Sequence, residues 1–143
     1  MFNQFIEDIC VINKLGLNTI IIHGGGKNIE KKLAENNIKS KFINGLRVTD
    51  SNTINIVEKA LTELNQEIIN NLKNNNCAAL SITTKTNNII KITPEKRDLG
   101  FVGNPSEINR ELLLDIIKKK EVPVIVPMGI GEDQKPYNIN ADI

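Results

Sequence analysis

The stretch TIIIHGGGKN, Thr19 to Asn28, constrains the fold more than any other part of the chain. An apolar, β-branched run leads straight into Gly24, Gly25 and Gly26 and then into a helix-like sequence, so a buried strand must hand over to a helix on bare backbone. Each glycine costs roughly 0.5–1 kcal/mol relative to alanine in a regular element. The triplet therefore needs a reason. Either strand and helix pack too closely for a Cβ, or something anionic must touch the backbone N–H groups at a helix N-terminus.

Periodicity supplies the elements around it. Phe2, Phe5, Ile6, Ile9, Ile12 and Leu15 recur at helical spacing and Gly16 follows as a C-cap, which predicts a helix over 2–15. Ile29 and Leu33 mark a second helix opening near Lys27. Ser40 to Val48 reads as a hairpin turned at Asn44-Gly45. Asp50 and its neighbours offer caps for a long helix over 51–73, striped by Ile54, Val57, Leu61, Leu64, Ile68 and Leu72.

CAALSI and NIIKI read as strands joined by a polar turn, and Phe101 to Gly103 as a further extended piece. Ile108, Leu112, Leu113, Ile116 and Ile117 predict a last helix, closed by Lys118, Lys119 and Lys120 at the negative end of its dipole. VPVIVPM is another strand, which must start or edge its sheet where Pro123 lacks a donor. Alternating helices and buried strands define an α/β fold, a mostly parallel sheet with helices on both faces and β-hairpin decorations.

Composition narrows the function. At 143 residues and 40% hydrophobic, the chain suffices for one domain. Eighteen basic against seventeen acidic residues leave a net charge of +1 with no basic face, which excludes a general nucleic-acid or membrane-surface role. No apolar stretch is long enough to span a bilayer and the first residues carry acids where a secretory signal carries bases, so a cytoplasmic location is expected. Cys10 and Cys77 lie among apolar neighbours without metal-ligand spacing, and read as buried thiols. No metal site is expected.

Two phosphate-binding signatures do not fit. A Walker loop needs glycine at position 21 and Ser or Thr at 28, where the chain has Ile21 and Asn28; a dinucleotide fingerprint needs glycine where Ile29 stands. The general rule survives: ligands of open parallel sheets sit beyond the C-terminal strand ends, and a glycine loop opening a helix suits a carboxylate or a phosphate. Arg47, after the tight turn, is placed to offer a bidentate fork to a carboxylate. In YNINADI an extended strand would point Asn138, Asn140 and Asp142 to one face.

Together HGGG, NGLRVTD and YNINAD, with DLGFVG and VPVIVPMGIGED between them, resemble the amino acid kinase family, and within it the acetylglutamate kinases. The resemblance covers nearly the whole chain. It implies phosphorylation of the side-chain carboxylate of N-acetyl-L-glutamate by ATP with Mg²⁺, in arginine biosynthesis, by a homodimer or higher homo-oligomer. It further implies that Gly25 and Gly26 meet the substrate through their backbone, that Arg47 holds a substrate carboxylate, and that Asn138 and Asn140 line the same pocket. Asp142 would organise the catalytic lysines and not act as a base.

The family begins with a Lys-x-Gly-Gly strand and continues past NINAD into a nucleotide-binding half. On that resemblance residues 1–143 are the substrate-binding portion of an amino acid kinase domain, first strand and nucleotide half absent, and the chain alone is expected to be inactive. The alternatives are a non-catalytic N-acetylamino-acid-binding module, another amino acid kinase such as glutamate 5-kinase, and a nucleotide-linked oxidoreductase module.

Overall fold

A computed structural model describes residues 1–143. The elements run α1 (Phe2–Lys14), β1 (Ile21–Ile22), α2 (Gly26–Glu35), β2 (Phe42–Ile43), β3 (Leu46–Arg47), α3 (Ser51–Asn74), β4 (Ala79–Ile82), β5 (Ile90–Pro94), β6 (Gly103–Ile108), α4 (Arg110–Lys118), β7 (Val122–Ile125), β8 (Met128–Gly131) and β9 (Pro136–Asn138). They form a parallel sheet ordered β1-β7-β4, a β2-β3 hairpin, and a mixed sheet ordered β6-β5-β8-β9.

The helices stop for local reasons. Leu17 N–H donates to Ile12 O and Gly16 N–H to Asn13 O, with Gly16 at φ 84°. This pair of bonds around a left-handed residue is the Schellman motif. It recurs at Asn37, Asn76 and Lys120, which carry φ of 58°, 57° and 57° and the same paired bonds back to Leu33 and Ala34, Leu72 and Lys73, and Ile116 and Ile117. At the other end of α3, Asp50 accepts from the N–H of Asn52 at 3.1 Å and of Thr53 at 2.8 Å.

α3 is the spine. Its C-terminal half packs Ile68, Ile69 and Leu72 with Ile6 and Cys10 of α1 and with Ala79, Val122 and Val124 of the parallel sheet. Its N-terminal half packs Ile54, Val57 and Leu61 with Ile29 and Leu33 of α2. The opposite face of β7 meets Ile116 of α4 through Ile125. Helices thus cover both faces of the parallel sheet, as the alternation predicts.

Two expectations are corrected and one alternative is decided. β7 is central, so Pro123 stands at a strand's start and not at a sheet edge. Val122 N–H and Val126 N–H both donate toward β4, to Ala78 O and Ile82 O, so the intervening Pro123 turns its missing donor toward β1. Pairing with β1 starts only at Ile21 opposite Val124, so no bond is lost there. β4 and β5 are not a hairpin: β4 joins the parallel sheet and β5 pairs with β6 and β8 in the mixed one. β1 is covered on one side only, Ile21 being buried while Ile20 and Ile22 are exposed.

Candidate functional site

The C-terminal end of β1 delivers the chain to the glycines. Their three positions have different causes. A Cβ on Gly25 would lie 2.6 Å from Leu61 Cδ2, so close packing against α3 accounts for that glycine; a Cβ on Gly24 or Gly26 would meet nothing within 4 Å. Neither of these two has a left-handed φ. Packing and conformation leave both unexplained.

The helix that follows is uncapped. Gly25 supplies no side chain, the first helical bond runs from Ile29 N–H to Gly25 O at 2.9 Å, and the N–H groups of Gly26, Lys27 and Asn28 precede it unpaired. No acid occupies the first turn. Free donors and the positive end of the dipole therefore open on the surface beside the glycines.

The hairpin brings Arg47 to the same place. Phe42 pairs with Arg47 and Ile43 with Leu46, and Asn44 and Gly45 take φ of 50° and 79°, the turn that Asn-Gly encodes. Arg47 O accepts from Thr49 Oγ1 at 2.9 Å, while Thr49 N–H donates to Leu99 O and Phe101 N–H to Thr49 O. The arginine backbone is thereby tied to the mixed sheet's flank.

Its side chain is 7% exposed. Nη1 donates to Glu30 Oε1 at 2.8 Å and to Ser40 Oγ, and the guanidinium lies 4.6 Å over the Phe42 ring. Every side-chain hydrogen bond of Arg47 leaves from Nη1, so Nε and Nη2 are uncommitted. Hydrogen bonds from Ser40 and then Arg47 hold the Glu30 carboxyl below its usual range, which keeps Glu30 an acceptor.

Gly24, Gly25, Gly26 and Arg47 line one cleft of about 150 Å³ together with Asn138 and Asn140, over a floor that includes Ile29, Leu61, Val102, Pro127 and Ile139. Asn138 N–H donates to Phe101 O, but its side-chain amide makes no protein hydrogen bond. Five of the six residues singled out from the sequence meet here. Asp142 does not line the cleft. β9 ends at Asn138 and the chain turns at Asn140, whose O accepts from Ile143 N–H at 3.2 Å and whose Oδ1 accepts from Asp142 N–H at 3.1 Å, so Asp142 is exposed outside.

The cleft combines a cation, the uncommitted amide of Asn138, the Asn140 amide with its nitrogen unused, free backbone donors and an apolar floor. It suits a small carboxylate-bearing metabolite with an amide, and at this volume not a whole nucleotide. A larger hollow of about 770 Å³ lies over the mixed sheet, where Lys91 pairs with Glu107 at 2.6 Å and Tyr137 Oη donates to Asp133 Oδ2 at 2.9 Å. None of the residues singled out from the sequence lines it.

Sequence reading missed Glu30, Ser40 and Phe42, the residues that hold the arginine. The available signal was spacing: Glu30 falls one turn after Gly26, on a helix that opens at the cleft.

A parallel sheet flanked by helices, with a glycine loop and an arginine facing a small cleft at its strand ends, defines an α/β domain of the open-sheet class. The profile of the amino acid kinase family matches residues 2–143, and the chain belongs to that family. Acetylglutamate kinase of Pelagibacter ubique is 58% identical over 142 residues, covering 99% of this chain and 49% of the relative. That of Petrotoga mobilis is 44% identical over 140 residues, covering 96% and 47%. The chain spans about half the length of the curated relatives it matches. Among solved structures, a protein of Streptococcus mutans UA159 superposes with a TM-score of 0.89 at 27% identity, covering 96% of this chain and 57% of that one. N-acetylglutamate synthase of Neisseria gonorrhoeae, complexed with coenzyme A and N-acetyl-glutamate, shares the fold at a TM-score of 0.85 and 18% identity, over 98% of this chain and 33% of that one.

Proposed function

We propose that residues 1–143 form the acceptor-binding portion of an enzyme that transfers the γ-phosphoryl group of ATP to the side-chain carboxylate of N-acetyl-L-glutamate, giving N-acetyl-L-glutamyl 5-phosphate for arginine biosynthesis. One observation carries this reading. Gly24 and Gly26 have no packing reason to be glycine, yet they face the same small cleft as a buried arginine with unused donors. Relatives named acetylglutamate kinase at 58% and 44% identity support the choice of substrate.

In this reading Arg47 takes the α-carboxylate through Nε and Nη2, and Asn138 and Asn140 take the acetamido group. The side-chain carboxylate then reaches the glycine loop. An ionised carboxylate needs no proton removed before it attacks, so the residues work by positioning and by neutralising charge. The backbone N–H groups of Gly25, Gly26 and the first turn of α2 face the oxygens where charge gathers. Asp142, in its exposed turn, is read as organising the lysines that the family resemblance implies.

Mg²⁺ is assigned to the nucleotide, as the family resemblance implies. No helix is long and apolar enough to cross a membrane, and a cytoplasmic homo-oligomer is the reading taken from the resemblance.

Calorimetric titration of the chain with N-acetyl-L-glutamate, with L-glutamate as control, tests the substrate. Saturable binding selective for the acetylated ligand is expected, with turnover of ATP only by the full-length gene product. A full-length product that phosphorylates L-glutamate as well as its acetylated form would overturn it.

A further inference from the structure

Behind the glycine loop runs a buried chain of hydrogen bonds that belongs neither to the cleft wall nor to the sheet ladder. Asn65 of α3 is fully buried, and its amide touches all three strands of the parallel sheet or their ends. Nδ2 donates to Val124 O of β7 at 2.9 Å and lies 3.1 Å from Nε2 of His23, while Oδ1 accepts from Ser81 Oγ of β4 at 2.5 Å. His23 Nδ1 in turn lies 2.8 Å from Gly24 O.

The partners fix every proton. A carbonyl such as Val124 O only accepts, so the atom facing it is the amide nitrogen, and its second hydrogen points to His23. Nε2 must then be the accepting nitrogen, which leaves the proton on Nδ1, where Gly24 O accepts it. The imidazole is neutral, in one tautomer, and both ends are used. Burial pushes its pKa down from 6.5, in keeping with that form.

The geometry points to His23 as a positioning residue: as the Nδ1–H tautomer it relays the rigid α3 framework, through Asn65, onto the carbonyl of Gly24, and so sets the direction of the N–H groups that follow. Gly24 needs such a hold, since no side chain of its own anchors it and a Cβ there would touch nothing. An unanchored glycine loop would lose its alignment to the ligand. The inference rests on the reading that these N–H groups face the substrate carboxylate.

Two substitutions separate the two ends of the ring. Asn places its Nδ2 where His has Nδ1, so His23→Asn keeps the donor to Gly24 and drops the contact with Asn65. Gln places its amide where His has Nε2, so His23→Gln keeps Asn65 and drops Gly24. Thermal melts and titration with N-acetyl-L-glutamate are run on both, beside ligand-free ¹⁵N spectra of His23 and of the Gly24, Gly25 and Gly26 amides.

A positioning role predicts an inversion. His23→Asn melts lower than His23→Gln yet binds the ligand better, with His23→Gln losing about tenfold in affinity, the worth of one hydrogen bond. His23→Gln also shifts the glycine amides more. A purely structural histidine gives affinities that follow the melting temperatures in the same order, and that result overturns the inference. So does an imidazole protonated at Nε2 in the unsubstituted chain. If the unsubstituted chain binds no N-acetyl-L-glutamate, the substrate reading fails while the ligand-free spectra still decide the role of His23.

Discussion

Arg47 and Glu30 share one hydrogen bond of 2.8 Å, from Nη1 to Oε1, and that bond uses only one edge of the guanidinium. Glu30 is half-exposed and Arg47 buried, so the carboxylate holds the fork from the solvent side and leaves its other edge to the cleft. Arg47→Ala removes the only cation lining this cleft and is expected to cost about 2–4 kcal/mol in N-acetyl-L-glutamate recognition. Titration checks it. Unchanged affinity would remove Arg47 from the binding groups.

Gly25 and Gly26 are expected to part company. Gly25→Ala drives a methyl group to within 2.6 Å of Leu61 Cδ2 and destabilises by about 1–3 kcal/mol, read as a lower urea midpoint. Gly26→Ala meets nothing and leaves stability level or raised by about 0.5 kcal/mol, yet weakens ligand binding. Equal losses of stability in both variants would refute the division.

Lys120 ends α4 in the left-handed region that its neighbours Gly16, Asn37 and Asn76 fill with glycine or asparagine. Lys120→Gly relieves a lysine of that conformation and is expected to stabilise by about 0.5–1 kcal/mol, visible as a higher melting temperature. A lower melting temperature would show that the lysine side chain contributes more than its backbone costs.

Stability should fall on mild acidification. The pKa of His23 is lowered by burial, an effect partly opposed by its bond to the Gly24 carbonyl, so below 6.5 the unfolded chain binds a proton that the folded chain resists. Stability therefore rises with pH through that window and levels off above it. Urea midpoints from about pH 7.5 down to about pH 5 should show the slope, and His23→Asn should reduce it. Asp50, held below its usual 3.8 by the amides it caps, acts in a separate, more acid window.

Elements whose determinants are local were legible in the sequence. Gly16, Asn44-Gly45 and Asp50 each fix a turn or cap within a few residues, and the structure keeps all of them. β6 was not legible, because GNPSEI is polar, contains Pro105 and borrows its strand character from β5. Whether Pro123 starts a strand or edges its sheet was not legible, because a proline alone does not tell which neighbour its missing donor will face. The site behaves alike. Gly25, Gly26, Arg47, Asn138 and Asn140 announce themselves by residue type and spacing, whereas Glu30 and Ser40 acquire their place only when the hairpin folds back over α2. The alternation expected to carry on to Asp142 ends where Asn140 turns the chain.

Pro127 marks where the chain leaves the parallel sheet for the mixed one, and the cleft straddles that crossing. The glycine loop stands on one bank and Asn138 on the other, and between them Ile139 N–H donates to Pro127 O at 2.9 Å. A ligand gripping both banks is therefore a cross-brace as well as a guest. Its arrival should slow hydrogen exchange along the seam at amides that it does not touch, as the cost of opening there rises by part of the binding free energy.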